Sequence, residues 1–128
     1  MIKLLALILL TALTLPALAA DKWANAEVMT VVMVDNRFQP DHVTFQSGKA
    51  YELHLENRGK EMHEFTAPAF LQAATIRDKK LLANGGKDIV VQAGKSVNIF
   101  LIAPPKGPYS LICADHDWDG MVGSITVD

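Results

Sequence analysis

The sequence contains a single cysteine, Cys113, so no disulfide bond can form within the chain. It also lacks a long apolar run, because the main one, residues 4–15, is shorter than the roughly 20 residues that cross a bilayer as a helix. There is no basic cluster, and a formal net charge of −2 offers little to nucleic acid or to anionic lipid. These absences argue against a membrane-spanning protein and against a nucleic-acid-binding protein.

The first 19 residues have the pattern of a secretory signal peptide. Lys3 gives a positive start, residues 4–15 form the apolar run, and Ala17 and Ala19 place small residues where a signal peptidase reads them. We therefore expect a leader of residues 1–19, one mature domain of residues 20–128, a periplasmic location and no stable membrane insertion after cleavage. Removal of Lys3 leaves 11 basic and 14 acidic residues, a formal net charge of −3.

The mature chain has the pattern of short strands separated by glycine and proline turns. Residues 42–45 and 51–56 alternate between polar and apolar, which predicts strands with one wet face, whereas residues 28–34 are apolar on both faces and predict a strand buried on two sides. The remaining predicted strands are residues 88–91, 96–102, 109–113 and 122–127. Seven short strands predict an all-β antiparallel sandwich. The segment around residues 68–84 breaks the pattern and predicts one short helix or an irregular flap.

The loop between the last two predicted strands, CADHDWDGM, places Cys113, His116 and Met121 at the spacing C-x2-H-x4-M. In an exported protein an unpaired cysteine suggests an intermolecular bond, a reactive thiol or a metal ligand. The neighbouring histidine and methionine favour the metal. Copper in electron-transfer sites is held by two imidazoles, one thiolate and a weak axial thioether, so one more histidine is needed.

Three histidines remain as candidates for the fourth ligand. His42 and His54 alternate with apolar strand residues and are expected to face water. His63 follows a turn-like stretch, residues 57–60, and precedes Phe65, so it lies where a loop re-enters the sandwich; we predict that His63 is the ligand. Zinc also accepts two histidines and one cysteine, but a thioether is a poor zinc ligand, which favours copper.

Further motifs accompany this ligand pattern along the mature chain. They are Phe38-Gln39-Pro40, Gly48, Asn57 at a strand end, Gly107-x-Tyr109 and Gly123-Ser124-Ile125-Thr126-Val127. In this order the chain resembles the cupredoxins, the type 1 blue copper proteins, and its ligand-loop spacing is similar to that of plastocyanin and pseudoazurin. The resemblance implies a Greek-key β-sandwich that holds one copper ion, Cu(I) or Cu(II), through His63, Cys113, His116 and Met121.

The resemblance also implies how electrons pass. His116 is then the gateway, surrounded by a patch for which Trp118, Met62 and Pro68 are candidates. The carrier is expected to be a monomer. The acidic side chains beside His116 are expected to attract a cationic redox partner such as a c-type cytochrome; they are Asp115, Asp117 and Asp119.

Two departures from the family pattern concern the surroundings of the ligands. Better-known members have Asn after the first histidine and Ser or Thr after the cysteine, and a hydrogen bond between them ties the ligand loops; here these places hold Glu64 and Ala114. Many relatives have Pro where Asp115 stands. The N–H of Asp115 would raise the reduction potential by donating to the thiolate, whereas its carboxylate would lower the potential by favouring Cu(II). Strand parity turns Glu64 away from the side of His63, and an approach of Glu64 to the metal is left open.

The function expected from these features is a periplasmic one-electron carrier. The alternative is a periplasmic copper-binding protein for copper tolerance or delivery, which the acidic rim and the altered surroundings suggest. An enzyme is not expected, because four protein ligands close the coordination sphere. A binuclear centre needs two cysteines and a multicopper oxidase needs several His-x-His pairs, and the sequence has neither.

Overall fold

The computed structural model describes residues 15–128. In this part of the chain ten strands form two five-stranded sheets, which together make a β-sandwich. One short helix, α1 (Pro68–Ala73), lies between the fifth and sixth strands, and single 3-10 turns lie at Lys79–Leu81 and Asp117–Asp119. The strands are β1 (Glu27–Val34), β2 (Arg37–Gln39), β3 (His42–Phe45), β4 (Ala50–Asn57), β5 (His63–Thr66), β6 (Thr75–Ile76), β7 (Asp88–Val91), β8 (Ser96–Ile102), β9 (Gly107–Ile112) and β10 (Val122–Val127).

The first sheet has the strand order β2-β1-β4-β8-β6. Its centre shows the alternation that the sequence predicts, since Tyr51, Leu53 and Leu55 of β4 are buried while the residues between them are only half-buried. The same parity puts Asn57, the last residue of β4, on the inner face. A polar side chain is thereby buried at the end of an otherwise apolar row.

The second sheet has the order β3-β10-β9-β5-β7. Strands β9 and β10 form an antiparallel hairpin whose last pair is Ile112 with Val122, so residues 113–121 are its loop. Ile112 also pairs with Thr66 at the end of antiparallel strand β5. Because of this register, the chain that follows Ile112 runs back along β5 towards His63.

Aromatic side chains fill the space between the sheets. Phe45 of β3 meets Tyr51 of β4 edge to face at 4.9 Å between ring centroids, which joins the two sheets. Phe70 of α1 packs on Phe45 at 5.0 Å and on Tyr109 at 5.7 Å. A fully buried phenylalanine or leucine stabilises a fold by about 1.5–3 kcal/mol, so Phe70 and the buried Leu71 hold α1 against the core.

The predicted sandwich and the short helix are confirmed, but the sheets are not purely antiparallel. Strand β1 pairs with β4 in parallel, and β3 pairs with β10 in parallel. The physical reason is the path of the chain: between the members of each pair it crosses to the opposite sheet and returns, which allows two neighbours to run in the same direction.

Strand β1 is also less buried than its sequence predicts. Val31 and Met33 are fully buried, whereas Val28 is 61% exposed. A two-layer sandwich covers only one face of each sheet, so the other face of β1 lies towards solvent. Strands β2 and β6 were not predicted because they have only three and two residues, and β5 was not predicted because its four residues are all buried and show no alternation.

Most of the predicted signal peptide, residues 1–14, lies outside the described residues, so the leader and the domain boundary at residue 20 stay predictions. Within residues 15–128, no helix is both long enough and apolar enough to cross a membrane.

Candidate metal centre

Three metal-ligating side chains meet where β5 begins and β9 ends. His63 is the first residue of β5, Cys113 directly follows β9, and His116 lies in the loop that leads to β10. Their ligand atoms all lie within 4.8 Å of one another. Cys113 Sγ is 3.5 Å from His116 Nδ1 and 4.0 Å from His63 Nδ1. The structure therefore brings together three of the four predicted ligands from two distant parts of the sequence.

These distances fit a shared metal ion. With bonds of about 2.0 Å to nitrogen and about 2.3 Å to sulfur, two donors at 120° around one ion stand about 3.7 Å apart. The two sulfur–nitrogen distances lie on either side of this value. The donor set, one thiolate and two imidazoles, is also the trigonal set of a blue-copper site.

Met121, the fourth predicted ligand, is fully buried and lies at the base of the same loop. Its carbonyl oxygen accepts from the Cys113 N–H at 3.0 Å, and its own N–H donates to the His116 carbonyl at 3.1 Å. The loop thus closes on itself between the thiol and the thioether. The role of Met121 as an axial ligand remains a prediction.

The Cys113 thiol is buried and surrounded by backbone donors. The Glu64 N–H donates to Sγ at 3.3 Å. Burial raises the pKa of the Cys113 thiol, while the N–H groups of Glu64, Asp115 and His116 oppose this by favouring the thiolate. The free thiol therefore keeps its proton at neutral pH, and a set of dipoles is already aimed at the sulfur. The Asp115 N–H, available because this residue is not proline, is one of them.

His63 is 1% exposed, and its pKa lies below the ordinary value. Burial is the main cause and the neighbouring His116 is the second. A neutral imidazole keeps a lone pair that can bind a metal, so this environment is compatible with the predicted ligand role of His63. Gly59 allows the ring its place, because a Cβ at this position would stand 3.1 Å from His63 Nε2.

Asn57 fixes the loop of residues 58–62, which connects β4 to His63 at the start of β5. The sequence did not indicate this role. Its amide donates to the Glu61 carbonyl at 2.8 Å and to the Val91 carbonyl at 2.9 Å, and its Oδ1 accepts from the Gly59 N–H at 2.9 Å. The signal that could have revealed it is a polar residue on the buried parity of β4. Residues 58–62 are thereby fastened to β7.

Glu61, two residues before His63, was also missed. Its carboxylate Oε2 lies 2.8 Å from Nε2 of His116. No pattern in the sequence indicates this contact, because residues 61 and 116 come together only through folding.

The side-chain tie of better-known relatives is absent here, as Glu64 and Ala114 imply, but other hydrogen bonds connect the loops. The Ala114 N–H donates to Thr66 Oγ1 at 3.3 Å. The amide of Asn36, in the turn between β1 and β2, donates to the Asp119 carboxylate. The ligand loop is therefore fastened to both of its neighbouring segments.

Glu64 is not one of the three clustered ligand residues, in agreement with its strand parity. It is 6% exposed, and its Oε2 has no hydrogen-bond partner among the described residues. Burial raises the pKa of its carboxyl, and the charges of Asp115 and Asp88 raise it further. This side chain is a buried acid beside the centre.

The residues predicted to form the surface around His116 are apolar or acidic. Trp118 is 79% exposed, and Met62 and Pro68 are half-buried. The three loop aspartates are exposed. His42 and His54 lie on outer strand faces, hydrogen-bonded to Ser124 and Asn98 respectively, and neither belongs to the cluster of His63, Cys113 and His116.

Comparisons with known proteins concern the family and the fold. Residues 3–127 match the family model of the cupredoxin-like domain, while a search of curated proteins finds no match. Among solved structures, dithionite-reduced auracyanin from Roseiflexus castenholzii is 17% identical, with a TM-score of 0.61 over 80% of this chain and 98% of that chain. Auracyanin B is 19% identical, with a TM-score of 0.61 over 80% of this chain and 89% of that chain.

A laccase from Pediococcus acidilactici is 18% identical, with a TM-score of 0.57 over 90% of this chain but only 29% of the laccase. At these identities the three likenesses show the fold alone. The fold and the adjacent His63, Cys113 and His116 are consistent with a single copper site. Since the family model spans nearly the whole sequence, the chain belongs to the cupredoxin-like family.

Proposed function

We propose that this protein is a periplasmic carrier of single electrons, in which one copper ion is held by His63, Cys113, His116 and Met121. The observation that supports this most directly is the gathering of one thiol and two imidazoles within 4.8 Å. Bound copper supplies a one-electron couple between Cu(I) and Cu(II). Proteins of this family generally pass electrons to partner proteins.

The contribution of the polypeptide is to keep the donors in place. Cys113 and His63 are attached to neighbouring strands, and the bond from Ala114 to Thr66 and that from Glu64 to the sulfur join the two segments. Donors that cannot relax keep the reorganisation between oxidation states small. Small reorganisation makes electron transfer fast.

Burial of the donors supports a carrier rather than an enzyme. His63, Cys113 and Met121 are at most 1% exposed, and the His116 side chain is 12% exposed. A catalytic metal needs an open position for a substrate. Of the four proposed donors, His116 has the most exposed side chain, which suits an outward path for an electron.

The partner that we propose is a cationic redox protein such as a c-type cytochrome, met by a monomeric carrier. Trp118 provides an exposed apolar contact next to His116. The acidic groups of the loop add attraction for a positively charged surface, so the association rate should fall as salt is added. Stopped-flow kinetics at rising ionic strength measure this, and a rate that does not change would exclude electrostatic steering.

A second candidate function is copper tolerance or copper delivery. The observation in its favour is that Glu61 covers the outer nitrogen of His116, where an electron would leave. Deletion of the gene separates the two: a strain that respires normally but becomes sensitive to copper has lost a copper-binding protein, whereas a respiratory defect without copper sensitivity supports the carrier.

The visible spectrum of the copper-loaded protein tests the proposed ligand set. Thiolate-to-Cu(II) charge transfer should produce intense visible absorption, which Cys113→Ser removes while circular dichroism shows an intact sandwich. His42→Ala changes a histidine on the outer face and should keep the colour. A colourless Cu(II) form of the parent protein would refute the proposal.

A further inference from the structure

The imidazole of His116 is contacted on both of its nitrogens. Nδ1 faces Cys113 Sγ at 3.5 Å, and Nε2 lies 2.8 Å from Glu61 Oε2. A carboxylate only accepts hydrogen bonds, so the ring proton belongs on Nε2 and the lone pair on Nδ1, which points into the centre. The contact thus selects the tautomer that a metal ligand at Nδ1 requires.

The backbone of Glu61 is held in position by Asn57. Its side chain is 70% exposed, and an exposed glutamate normally samples many rotamers. Its backbone carbonyl, however, accepts from the buried Asn57 amide at 2.8 Å, so the loop that carries it is fixed relative to β4. Only the side chain has to be ordered when the contact to His116 forms.

We propose that Glu61 is a positioning residue for His116: it orients the ring, fixes the Nε2–H tautomer and makes Nδ1 a stronger donor, which favours Cu(II) over Cu(I). The effect on the preference for Cu(II) over Cu(I) rests on the proposed function, whereas the orientation of the His116 ring does not. A histidine ligand whose other nitrogen donates to a carboxylate is more basic and better oriented than a free one. Truncation of such a partner typically weakens metal binding by about 10–100-fold.

The chain offers a matched control for the charge of Glu61. Asp35 lines the same surface pocket as Glu61 and His63. Among the described residues, no hydrogen bond joins Asp35 to His116. Asp35→Asn therefore removes one negative charge from the same pocket but leaves the contact to His116 in place.

The test compares the parent protein with Glu61→Ala, Glu61→Gln and Asp35→Asn. In Glu61→Ala the affinity for Cu(II) should fall about tenfold relative to that for Cu(I), which corresponds to a rise of about 59 mV in reduction potential. Glu61→Gln keeps a neutral acceptor and should give part of this shift. Asp35→Asn should give a smaller shift that disappears at high salt, because only a through-space charge is screened.

A second readout requires no copper. In the metal-free protein, the side-chain proton and nitrogen signals of His116 should show a slowly exchanging Nε2–H, and exchange should become much faster in Glu61→Ala but not in Asp35→Asn. Equal potential shifts in Glu61→Ala and Asp35→Asn, or unchanged exchange in Glu61→Ala, would overturn the positioning role. If the parent protein binds no copper, the proposed function and the tuning fail together, and the exchange measurement still decides whether Glu61 holds the ring.

Discussion

Replacement of Asn57 by alanine tests whether this buried amide holds the loop that carries Glu61 and leads to His63. Asn57 is 1% exposed, and its side chain makes three hydrogen bonds, two to carbonyl oxygens of Glu61 and Val91 and one from the Gly59 N–H. Each bond contributes about 1 kcal/mol net, so the loss should lower the free energy of unfolding by about 3 kcal/mol. Domains of this size are stable by about 5–15 kcal/mol, and the variant should still fold.

Urea unfolding of the metal-free protein measures this effect. With a denaturant slope of about 1–3 kcal/mol/M, the midpoint should fall by about 1–3 M. Asn98→Ala is the matched control, because Asn98 is exposed on the outer face of β8 and water can replace its exposed hydrogen bond to His54, so its removal should change stability by less than about 0.5 kcal/mol. Equal midpoints for Asn57→Ala and Asn98→Ala would refute the assignment.

Asn57→Asp adds a pH-dependent signature. The aspartate still accepts from the Gly59 N–H, but at neutral pH it turns a second acceptor towards two carbonyl oxygens. This variant should therefore be at least as unstable as Asn57→Ala at pH 7. It should recover in part at acidic pH, where the carboxylic acid donates one hydrogen bond. If the stability of Asn57→Asp does not recover at acidic pH, the hydrogen bonds that the Asn57 amide donates do not account for its contribution to stability.

Two further predictions follow from the buried ionisable groups. Glu64→Gln should raise the free energy of unfolding by about 1 kcal/mol at pH 7, because a buried unpartnered carboxylate oxygen is replaced by a donor near Asp88 and Asp115. Because folding raises the pKa of the Glu64 carboxyl, this gain in stability should vanish below pH ~4.3, the ordinary pKa of glutamate, and should grow as the pH rises above it. The control is Glu52→Gln on the half-exposed face of β4, whose effect on stability should not depend on pH in this way. Zinc binding to the metal-free protein at about pH 8 should release about one proton, from the Cys113 thiol whose pKa is raised, and none from His63, whose pKa is lowered. Calorimetry in buffers of different ionisation enthalpy counts the protons, and a value near zero or near two would contradict this account.

Local sequence patterns sufficed for the strands that are long enough to alternate. Strand β3 begins and ends as predicted, and β4 extends only one residue beyond the prediction at each end. Patterns failed for β5, whose four residues are all buried and show no alternation. That strand carries His63, and its place between β9 and β7 in the second sheet was visible only after folding.

The partner of a strand was equally beyond the local pattern. The turn at Gly48 separates β3 from β4 as the sequence indicates, yet the two strands belong to different sheets, and β3 pairs in parallel with β10 at the far end of the chain. Alternation states which face of a strand is apolar. It does not state which neighbour supplies the hydrogen bonds.

For the centre, the chemical types and their order along the chain were determined by the sequence itself. A single thiol, a histidine and a methionine in one loop, together with one histidine at a strand entry, specify the donor chemistry because ligand preference depends on the atoms that each side chain carries. The tertiary structure alone decided what surrounds them: Glu61 on the outer nitrogen of His116, Asn57 beneath the loop, and the buried Glu64, whose Oε2 has no hydrogen-bond partner within residues 15–128. These contacts join residues up to 55 positions apart, and hydrogen-bond partners at such separations depend on how the strands pack, which no local pattern encodes.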